Sequence, residues 1–253
     1  MDISTVRVIV TGGASGLGEA CVRGFAEHGA RVAIFDRDAD RGAALAGEIG
    51  GSVGFHAVDV TDESSVQAAI QSATEDMGGV SALINCAGIA NGIKTLGRDG
   101  PFPLADFSHV VDINLIGTFN VLRLVAVEMA KNQPNEDGER GVIVNTASAA
   151  AFDGQKGQAA YSASKSGVAG MTLPIARDLA YNGIRICTIA PGLFLTPMFD
   201  TLGPEIAEAL AKDVPFPKRL GRPSEFAHLA RFIVENPYMN GETIRLDGAV
   251  RLP

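Results

Sequence analysis

The sequence predicts one α/β domain built on a doubly wound parallel sheet of about seven strands, with helices on both faces. Short apolar runs rich in β-branched residues alternate along the chain with longer segments of helical periodicity. A glycine-rich turn separates the first such run from the first helical segment, which is the order of a Rossmann domain. No internal repeat or linker interrupts residues 1–253, so the whole chain is expected to form this single domain.

Seven runs are predicted as strands because each is short, apolar and rich in Val or Ile, as buried parallel strands are. Turn residues or helical segments flank each run, and the spacing between runs leaves room for a helix that crosses over to the next parallel strand. The predicted strands are Val6–Thr11, Arg31–Phe35, Val53–Val60, Val80–Asn85, Gly141–Thr146, Arg185–Ala190 and Gly241–Leu246.

Helices are predicted between these strands, the first running from the glycine turn to His28. Thr61 is expected to cap the third helix, and Asn182-Gly183 to end the helix that contains Pro174, where a kink or an interrupted hydrogen bond is expected. The remaining predicted helices are Ala39–Ile49, Glu63–Met77, Ala105–Lys131, Ala159–Tyr181, Glu205–Lys212 and Ser224–Glu235.

Two longer irregular stretches, Ile89–Pro103 and Pro191–Pro204, each follow a predicted strand. Loops at the carboxyl ends of parallel strands carry much of the substrate specificity in open α/β sheets. We therefore expect both loops to border the site, and the second is a candidate lid.

The composition is that of a globular protein, and it limits the classes of partner. Hydrophobic residues make up 46% of the chain and charged residues 20%, which excludes a disordered protein. The net charge of −8, without a Lys/Arg cluster, argues against a nucleic-acid partner. The three cysteines and four histidines are scattered without metal-ligand spacing, so we expect no metal site.

The same features predict a compartment. An odd and low number of cysteines is typical of a reducing environment. The chain begins almost directly with a predicted strand, and no apolar run is expected to be long enough to cross a membrane. We expect no membrane association and a cytoplasmic location, with the mitochondrial matrix after removal of a presequence as the alternative.

The glycine-rich turn Gly12-Gly13-Ala14-Ser15-Gly16-Leu17-Gly18 is predicted to bind a pyrophosphate. Because it joins a strand to a helix, free backbone N–H groups and the positive end of the helix meet at one point. Glycine permits a positive φ and lets the backbone approach phosphate closely. A plain tight turn is the alternative, but the strand–turn–helix context favours a nucleotide.

Asp36 ends the second predicted strand at the distance from the glycine turn where a carboxylate accepts both ribose hydroxyls of an adenosine. It would repel a 2′-phosphate, which favours NAD over NADP. Arg37 is the competing observation, since a guanidinium can bind a 2′-phosphate; its alternative is a solvated loop charge. Asp59 and Val60 close the third strand where an adenine edge would lie, and Asp59 is equally well interpreted as a turn residue before the next helix.

Tyr161 and Lys165 are predicted to form an acid/base pair. They are four residues apart, so on a helix they lie one turn apart on the same face. An ammonium beside a phenol favours the phenolate and is expected to lower the pKa of Tyr161 from about 10. Ser148 follows the fifth strand and supplies a hydroxyl at the same edge. The alternative is an ordinary exposed helix face.

Asn114 and Cys86 lie in places that need an explanation. Asn is unfavourable inside a helix, so Asn114 is expected either to mark a kink with a polar partner or to be exposed. Cys86 follows the fourth strand without a histidine or a cation nearby in the sequence. A small packed residue beside the cofactor is therefore favoured over a nucleophile.

These features occur in a specific order along the chain: TGGASGLG, Asn85-Cys86-Ala87-Gly88, Asn114, Ser148, YSASK and Pro191-Gly192. In that order they resemble the short-chain dehydrogenase/reductase family over essentially the whole chain. Within the family, the stretch GVIVNTASAAAFDGQKGQAAYSASKSGVAGMTLPIARDLA, with IAPGLFLTP and ENPYMNGETIRLDGA, resembles the type 2 3-hydroxyacyl-CoA dehydrogenases, the group that includes 17β-hydroxysteroid dehydrogenase type 10. Cys86, where the wider family more often has Asn, matches this group.

The resemblance implies a role for each matching residue. Tyr161 would be the general acid/base, Lys165 would lower its pKa and bind the nicotinamide ribose, and Ser148 would polarise the substrate carbonyl. Asn114 would support a water relay from Lys165, and Gln155 would help to bind the substrate head. The implied cofactor-binding residues are Gly12, Ser15, Gly16, Leu17, Gly18, Asp36, Asp59, Val60, Cys86, Gly88, Tyr161, Lys165, Phe194 and Thr196.

The function that the resemblance implies is the reversible NAD-dependent oxidation of 3-hydroxyacyl-CoA to 3-ketoacyl-CoA, in fatty-acid or branched-chain acyl degradation, by a homotetramer. One alternative is an NAD-dependent dehydrogenase of hydroxysteroids or other secondary alcohols. A second is a 3-oxoacyl-carrier-protein reductase that uses NADPH, which Asp36 disfavours. A third is a nucleotide-bound scaffold without turnover, which the intact set of Ser148, Tyr161 and Lys165 disfavours.

Overall fold

The computed structural model describes residues 1–98, 100–196 and 210–251. Its centre is a sheet of seven parallel strands in the order β3-β2-β1-β4-β5-β6-β7. The strand order reverses between β1 and β4, which places a crevice at the carboxyl ends of those two strands. The strands are β1 (Arg7–Thr11), β2 (Arg31–Asp36), β3 (Val53–Ala57), β4 (Ala82–Asn85), β5 (Gly141–Thr146), β6 (Ile184–Pro191) and β7 (Thr243–Leu246). The predicted doubly wound parallel sheet is confirmed.

Helices cover both faces of the sheet and bury a separate hydrophobic core on each face. Successive side chains of β1 belong to opposite cores: Val8 and Val10 lie in one core, and Ile9 lies in the other. Strands buried on both faces need apolar residues at every position, which is why the central runs show no alternation. The helices are α1 (Gly16–Glu27), α2 (Ala39–Ile49), α3 (Glu63–Met77), α4 (Leu104–Val111), α5 (Thr118–Met129), α6 (Ala159–Leu179) and α7 (Pro223–Glu235).

Several element ends differ from the prediction, and two of these differences lie between β3 and α3. β3 ends at Ala57 rather than at Val60. The predicted cap of α3 is wrong by one residue, because the Asp62 carboxylate accepts from the N–H groups of Ser64 and Ser65, whereas the Thr61 hydroxyl donates to Asp59. A carboxylate at this position satisfies two N–H groups that the helix itself leaves without partners.

The end of α6 is as predicted in outline. The helix continues through Pro174, and a 3₁₀ turn then leads to Gly183, whose φ of 69° ends the segment in the left-handed conformation. Most of the candidate lid Pro191–Pro204, and the first part of the helix predicted for Glu205–Lys212, lie outside the described residues.

The long helix predicted for Ala105–Lys131 is two helices joined by a π turn. α4 leads into the π turn Asp112–Gly117, and α5 follows directly. Asn114 lies in this turn, fully buried and hydrogen-bonded, so the predicted kink with a polar partner is confirmed. A π turn adds a residue to the helical ladder, and such turns occur frequently at functional sites.

Taken together, Leu104–Met129 is long enough to span a membrane, and an 18-residue window within it is apolar enough by composition, with a mean hydropathy of 1.7. The expectation that no run reaches that length is therefore wrong. Half of that window is buried inside the protein, as in the core helix of a folded domain. The fully buried Val121 and Val125 on α5 belong to the core shared with α3 and β4.

Candidate active site

A cavity of about 640 Å³ opens at the carboxyl ends of the central strands. Every residue predicted to bind the cofactor lines it, as do Ser148, Tyr161 and Lys165. Asn114 lies behind the cavity wall at Gly88, and Gln155 is not among the lining residues. Among the described residues, no group of three His, Cys, Asp or Glu side chains lies close enough together to hold a metal ion.

The glycine turn packs too tightly for side chains at three of its positions, Gly12, Gly13 and Gly18. A Cβ at Gly18 would lie 2.1 Å from the Gly12 carbonyl oxygen. A Cβ at Gly12 would lie 2.8 Å from the backbone of Ala87, and its φ of 61° is left-handed. The turn therefore brings β1, the start of α1 and the segment after β4 into direct contact, with backbone rather than side chains facing the cavity.

Asp36 lies at the rim, held by two backbone N–H groups. Its Oδ2 accepts from Ala14 N at 3.0 Å, and its Oδ1 accepts from Asp38 N at 3.0 Å. A carboxylate has about four acceptor positions, so two bonds leave capacity for ligand hydroxyls. The bond to Ala14 fixes the carboxylate relative to the glycine turn, which is the relationship that the sequence spacing predicted.

Asp59 and Val60 lie at the same end of the cavity and are held in different ways. The Asp59 carboxylate accepts from Thr61 N at 2.9 Å and from the Thr61 hydroxyl at 2.6 Å; these bonds, aided by the charges of Arg37 and His109, lower its pKa. The Val60 carbonyl accepts from Asn120 Nδ2 at 3.0 Å. Asp59 is therefore the predicted turn residue before α3, and it also lines the cavity, where its contact with an adenine edge stays a prediction.

Lys165 lines the cavity together with Ser148 and Tyr161. Its Nζ donates to the Thr146 carbonyl at 2.8 Å and lies 5.9 Å from the centre of the Tyr161 ring. The side chain is buried, with 4% of the residue exposed. Ser148 Oγ accepts from Ala150 N at 3.1 Å, which leaves the Ser148 hydroxyl proton free to be donated. The three predicted side chains thus share one wall of the cavity.

Burial dominates the pKa values of this group. It raises the pKa of Tyr161, and the interaction with the Ser148 hydroxyl only partly offsets that effect. Burial also lowers the pKa of Lys165 to about 8. The expectation that Lys165 lowers the pKa of Tyr161 below 10 is therefore wrong for this state of the site, because desolvation of the phenolate is the largest influence on that pKa and raises it.

Asn114 fixes the segment that follows β4. Its Oδ1 accepts from Ile89 N at 2.8 Å, and its Nδ2 donates to Ile89 O at 2.9 Å and to Ser164 Oγ at 3.0 Å. Ser164 in turn donates to the Tyr161 carbonyl. A Cβ at Gly88 would lie 3.1 Å from Asn114 Oδ1 and 3.4 Å from Lys165 Nζ. Gly88 therefore lies next to both side chains, and a larger residue there would crowd them.

Thr11 is a supporting residue that the sequence reasoning missed. Its hydroxyl oxygen accepts from the N–H groups of Cys86 and Ala87, both at 3.1 Å, and its hydroxyl lies 3.3 Å from Asn85 Oδ1. Asn85 Nδ2 donates to Asn145 Oδ1 at 2.9 Å. The sequence does contain a signal for this role: Thr11 and Asn85 are polar residues at the last positions of otherwise apolar strands. A buried hydroxyl or amide at such a position needs a hydrogen-bond partner.

Cys86 and Phe194 reach the cavity in different ways. The Thr146 hydroxyl donates to Cys86 Sγ at 3.6 Å. The pKa of the Cys86 thiol is lowered mainly by hydrogen bonding with Cys21, and further by the bond from Thr146 and the charge of Lys165.

The Phe194 ring is 5% exposed and packs edge-on against Phe226. Phe194 therefore serves mainly as an anchor that holds its loop, with its backbone beside the cavity.

The chain order and the cavity geometry agree with one family of enzymes. Residues 6–207 match the family described as short chain dehydrogenase. The chain belongs to the short-chain dehydrogenase family. It is therefore a dehydrogenase that uses a nicotinamide cofactor and acts on a small molecule.

Relatives within the short-chain dehydrogenase family cover nearly the whole chain. The 3-hydroxyacyl-CoA dehydrogenase type-2 of Drosophila melanogaster is 56% identical over 246 residues, which cover 96% of this chain and 96% of the relative. The crystal structure of 3-hydroxyacyl-CoA dehydrogenase type-2 from Mycobacterium avium superimposes with a TM-score of 0.93 at 45% identity, covering 98% of this chain and 96% of that one. The 3-ketoacyl-(acyl-carrier-protein) reductase from Brucella melitensis, complexed with NADH, gives a TM-score of 0.85 at 30% identity, covering 96% of each chain.

Proposed function

We propose that this dehydrogenase oxidises 3-hydroxyacyl-CoA thioesters reversibly to 3-ketoacyl-CoA, with NAD as its cofactor. The observation that carries the proposal is the placement of Ser148, Tyr161 and Lys165 at one end of a cavity whose other end carries Asp36. The relatives from Drosophila melanogaster and Mycobacterium avium, both named 3-hydroxyacyl-CoA dehydrogenase type-2, support the thioester as substrate.

The cavity fits a dinucleotide. Gly12 and Gly18 leave backbone at the start of α1, where a pyrophosphate is stabilised by N–H groups and the helix dipole. Asp36, held by Ala14 and Asp38, offers carboxylate oxygens to the adenosine ribose and opposes a 2′-phosphate, which favours NAD over NADP. When bound, NAD supplies the hydride acceptor.

The side chains of the protein orient the substrate and transfer the proton of its hydroxyl group. Tyr161 receives the hydroxyl proton of the substrate during oxidation and returns it to the carbonyl oxygen during reduction. Ser148 donates its free hydroxyl proton to the same substrate oxygen. Lys165 places its charge 5.9 Å from the centre of the Tyr161 ring and would bind the nicotinamide ribose. A positioned acid/base of this kind contributes roughly 10²–10⁴ in rate.

Asn114 is assigned a supporting role. Its side chain is committed to Ile89 and Ser164, so it holds the π turn against the segment after β4. We propose that this geometry maintains a water relay that starts at Lys165. We keep Gln155, whose backbone N–H donates to Gln158 Oε1, as a candidate contact to the substrate head.

We further propose a homotetramer that is located in the cytoplasm and degrades fatty or branched-chain acyl groups. The assembly is supported by exposed apolar side chains on two helices. On α5, Phe119 is 45% exposed and Val127 57% exposed, and on α6, Leu173 is 46% exposed. Burying such a surface against other copies of the chain stabilises an oligomer.

The function is tested by following the absorbance of NADH with acetoacetyl-CoA as substrate. Steady consumption of NADH that depends on acetoacetyl-CoA is expected, with a panel of acyl chain lengths to define the preference. Turnover of hydroxysteroids with none of the thioesters would contradict the proposed substrate. Binding of NADH without turnover of any alcohol or ketone would favour a scaffold.

A carrier-protein reductase is the second candidate, because the Brucella melitensis neighbour is named as one and was crystallised with NADH. The two candidates differ in the group that carries the acyl chain. Comparing acetoacetyl-CoA with acetoacetyl-carrier protein at equal concentrations, each with NADH and with NADPH, separates them. A preference of more than tenfold for the carrier-protein substrate would overturn the proposal.

A further inference from the structure

Arg245, at the end of β7, connects two loops that border the Ser148 and Tyr161 end of the cavity. Its Nη2 lies 2.5 Å from Asp153 Oδ2, and its Nε lies 2.6 Å from Asp247 Oδ2. Asp153 belongs to the loop that begins at Ser148, whereas Asp247 packs against the loop that follows β6. Arg245 itself does not line the cavity.

The loop that begins at Ser148 is a short turn held by several backbone hydrogen bonds. Ser148 Oγ accepts from Ala150 N, and the Ala149 carbonyl accepts from Asp153 N at 2.9 Å. On the side of α6, the Ser166 hydroxyl donates to the Ala151 carbonyl at 2.7 Å. A displacement of Asp153 is therefore transmitted through the turn to the Ser148 hydroxyl.

The loop after β6 is held by the residues that follow Arg245. Gly192 N donates to Leu246 O at 2.9 Å, and a Cβ at Gly192 would lie 2.7 Å from Asp247 Cβ. This loop continues to Phe194 and Thr196, both of which line the cavity. Asp247 thus has a fixed place beside the cofactor side of the site.

The chemistry of Arg245 suits a connection between two carboxylates. Its guanidinium donates in two directions at once, and it also lies 5.3 Å from the centre of the Phe152 ring. The interaction with Arg245 lowers the pKa of Asp153. The Arg245 side chain is only 22% exposed and that of Asp153 21%, so the pair is less screened than a surface ion pair. A lysine, with a compact charge, cannot reproduce this planar geometry.

We propose that Arg245 is a positioning residue that sets the distance between the Ser148 turn and the Pro191–Thr196 loop, so that the Ser148 hydroxyl meets the substrate oxygen beside Tyr161. This inference rests on the proposed roles of Ser148 and Tyr161. A displacement of about 1 Å in such a site costs roughly 10² in rate. The effect of losing the Asp153 carboxylate falls on kcat rather than on cofactor affinity, because that carboxylate joins Arg245 to the Ser148 turn, whereas the contact of Asp247 with the loop after β6 stays in place.

The test compares Asp153→Ala with wild-type enzyme, using acetoacetyl-CoA and saturating NADH. The expected result is a kcat at least tenfold lower, with NADH affinity within twofold of wild type. Asp153→Glu, which retains a carboxylate for Arg245, recovers most of the loss. Arg251→Gln is the matched control, because Arg251 donates to the same Asp247 from a side chain that is 59% exposed, and it leaves kcat within twofold.

Backbone hydrogen exchange in the same variants gives a readout that needs no substrate. Asp153→Ala is expected to raise exchange at the Phe152 and Asp153 amides, and Arg251→Gln is not. A kcat within twofold of wild type in Asp153→Ala overturns the inference, even if the melting temperature falls. If exchange rises in Asp153→Ala but wild-type protein does not reduce acetoacetyl-CoA, the proposed function is contradicted and the connection through Arg245 stays supported. Unchanged exchange in Asp153→Ala overturns the connection as well.

Discussion

Lys165 Nζ donates a hydrogen bond to the Thr146 carbonyl at 2.8 Å, and this bond ties the middle of α6 to the carboxyl end of β5. The bond places a charged group where burial lowers its pKa from 10.5 to about 8. At pH 7 the lysine is protonated in both the folded and the unfolded chain. The folded protein therefore carries the full cost of the buried ammonium, about 3 kcal/mol at roughly 1.4 kcal/mol per unit of pKa.

Lys165→Met is expected to remove this cost together with activity. Between pH 8 and 10.5 the wild-type lysine is neutral when folded and charged when unfolded, so the unfolded state binds the extra proton and wild-type stability rises with pH. The variant lacks this rise. We expect the free energy of unfolding of wild type, minus that of the variant, to increase by about 3 kcal/mol over this range. Urea denaturation at pH 7, 9 and 10.5 measures it, and a constant difference would contradict the buried charge.

Tyr161→Phe is expected to separate proton transfer from cofactor binding. The ring keeps its shape and its place beside Lys165, so NADH affinity should stay within threefold of wild type. Turnover should fall by roughly 10²–10⁴, the usual contribution of a positioned acid/base. Fluorescence titration with NADH and the acetoacetyl-CoA assay give the two values.

Tyr181→Phe is the matched control, because Tyr181 lies on the surface with 99% of the residue exposed. It should retain wild-type activity. Comparable turnover in the Tyr161 and Tyr181 variants would reject Tyr161 as the proton carrier.

Asn114→Asp is expected to damage the site although it changes a single atom. The Asp carboxylate still accepts from Ile89 N, but it cannot donate to Ile89 O or to Ser164 as Asn114 Nδ2 does. A fully buried charge among those acceptors is strongly unfavourable. Melting temperature should fall, and kcat should fall further than the loss of folded protein explains. A variant with wild-type kcat would show that the π turn needs no amide donor.

Most of the site residues predicted from the sequence line one cavity, because they lie at the ends of strands and in turns, where local pattern and three-dimensional position coincide. The glycine turn and Asp36 are examples, since the chain between them is one helix and one strand. The pattern could not show that Asn114 stands in a π turn, because the extra residue depends on hydrogen bonds to Ile89 and Ser164. Arg245 escaped notice for the same reason, as its partner Asp153 lies 92 residues away.

The predicted lowering of the Tyr161 pKa is wrong for a different physical reason. Helical spacing correctly places Lys165 near the phenol, but spacing carries no information about how much water the fold removes. Burial of Tyr161 raises its pKa, and burial of Lys165 lowers the lysine's own. Both shifts follow from desolvation, which depends on the packed fold rather than on neighbours in the sequence.

Gly18→Ala is expected to disable the cofactor site. A Cβ there would lie 2.1 Å from the Gly12 carbonyl oxygen, so the turn must open before the side chain fits. NADH affinity should fall at least tenfold, which titration by fluorescence measures. Gly47→Ala in α2 is the matched control, because no atom lies within 4 Å of its Cβ position. It should leave NADH affinity unchanged and stabilise the helix by up to about 1 kcal/mol; equal losses in both variants would remove the steric explanation.

Asp36→Ala is expected to reverse the cofactor preference. The variant loses the carboxylate that we propose for the ribose hydroxyls and keeps Arg37, which also lines the cavity and whose guanidinium could then bind a 2′-phosphate. A hydrogen bond to a charged group contributes about 1.5–3 kcal/mol, so the KM for NADH should rise by roughly 10- to 100-fold while the KM for NADPH falls.

Asp38→Ala is the control for that comparison, because Asp38 caps α2 by accepting from Arg41 N and does not line the cavity. Its loss should reduce stability by about 1 kcal/mol and leave the ratio of the two KM values unchanged. Initial rates with acetoacetyl-CoA and each cofactor give that ratio. If Asp36→Ala still prefers NADH by the wild-type factor, the discrimination lies elsewhere in the cavity and Asp36 serves only to hold Ala14 and Asp38 in place.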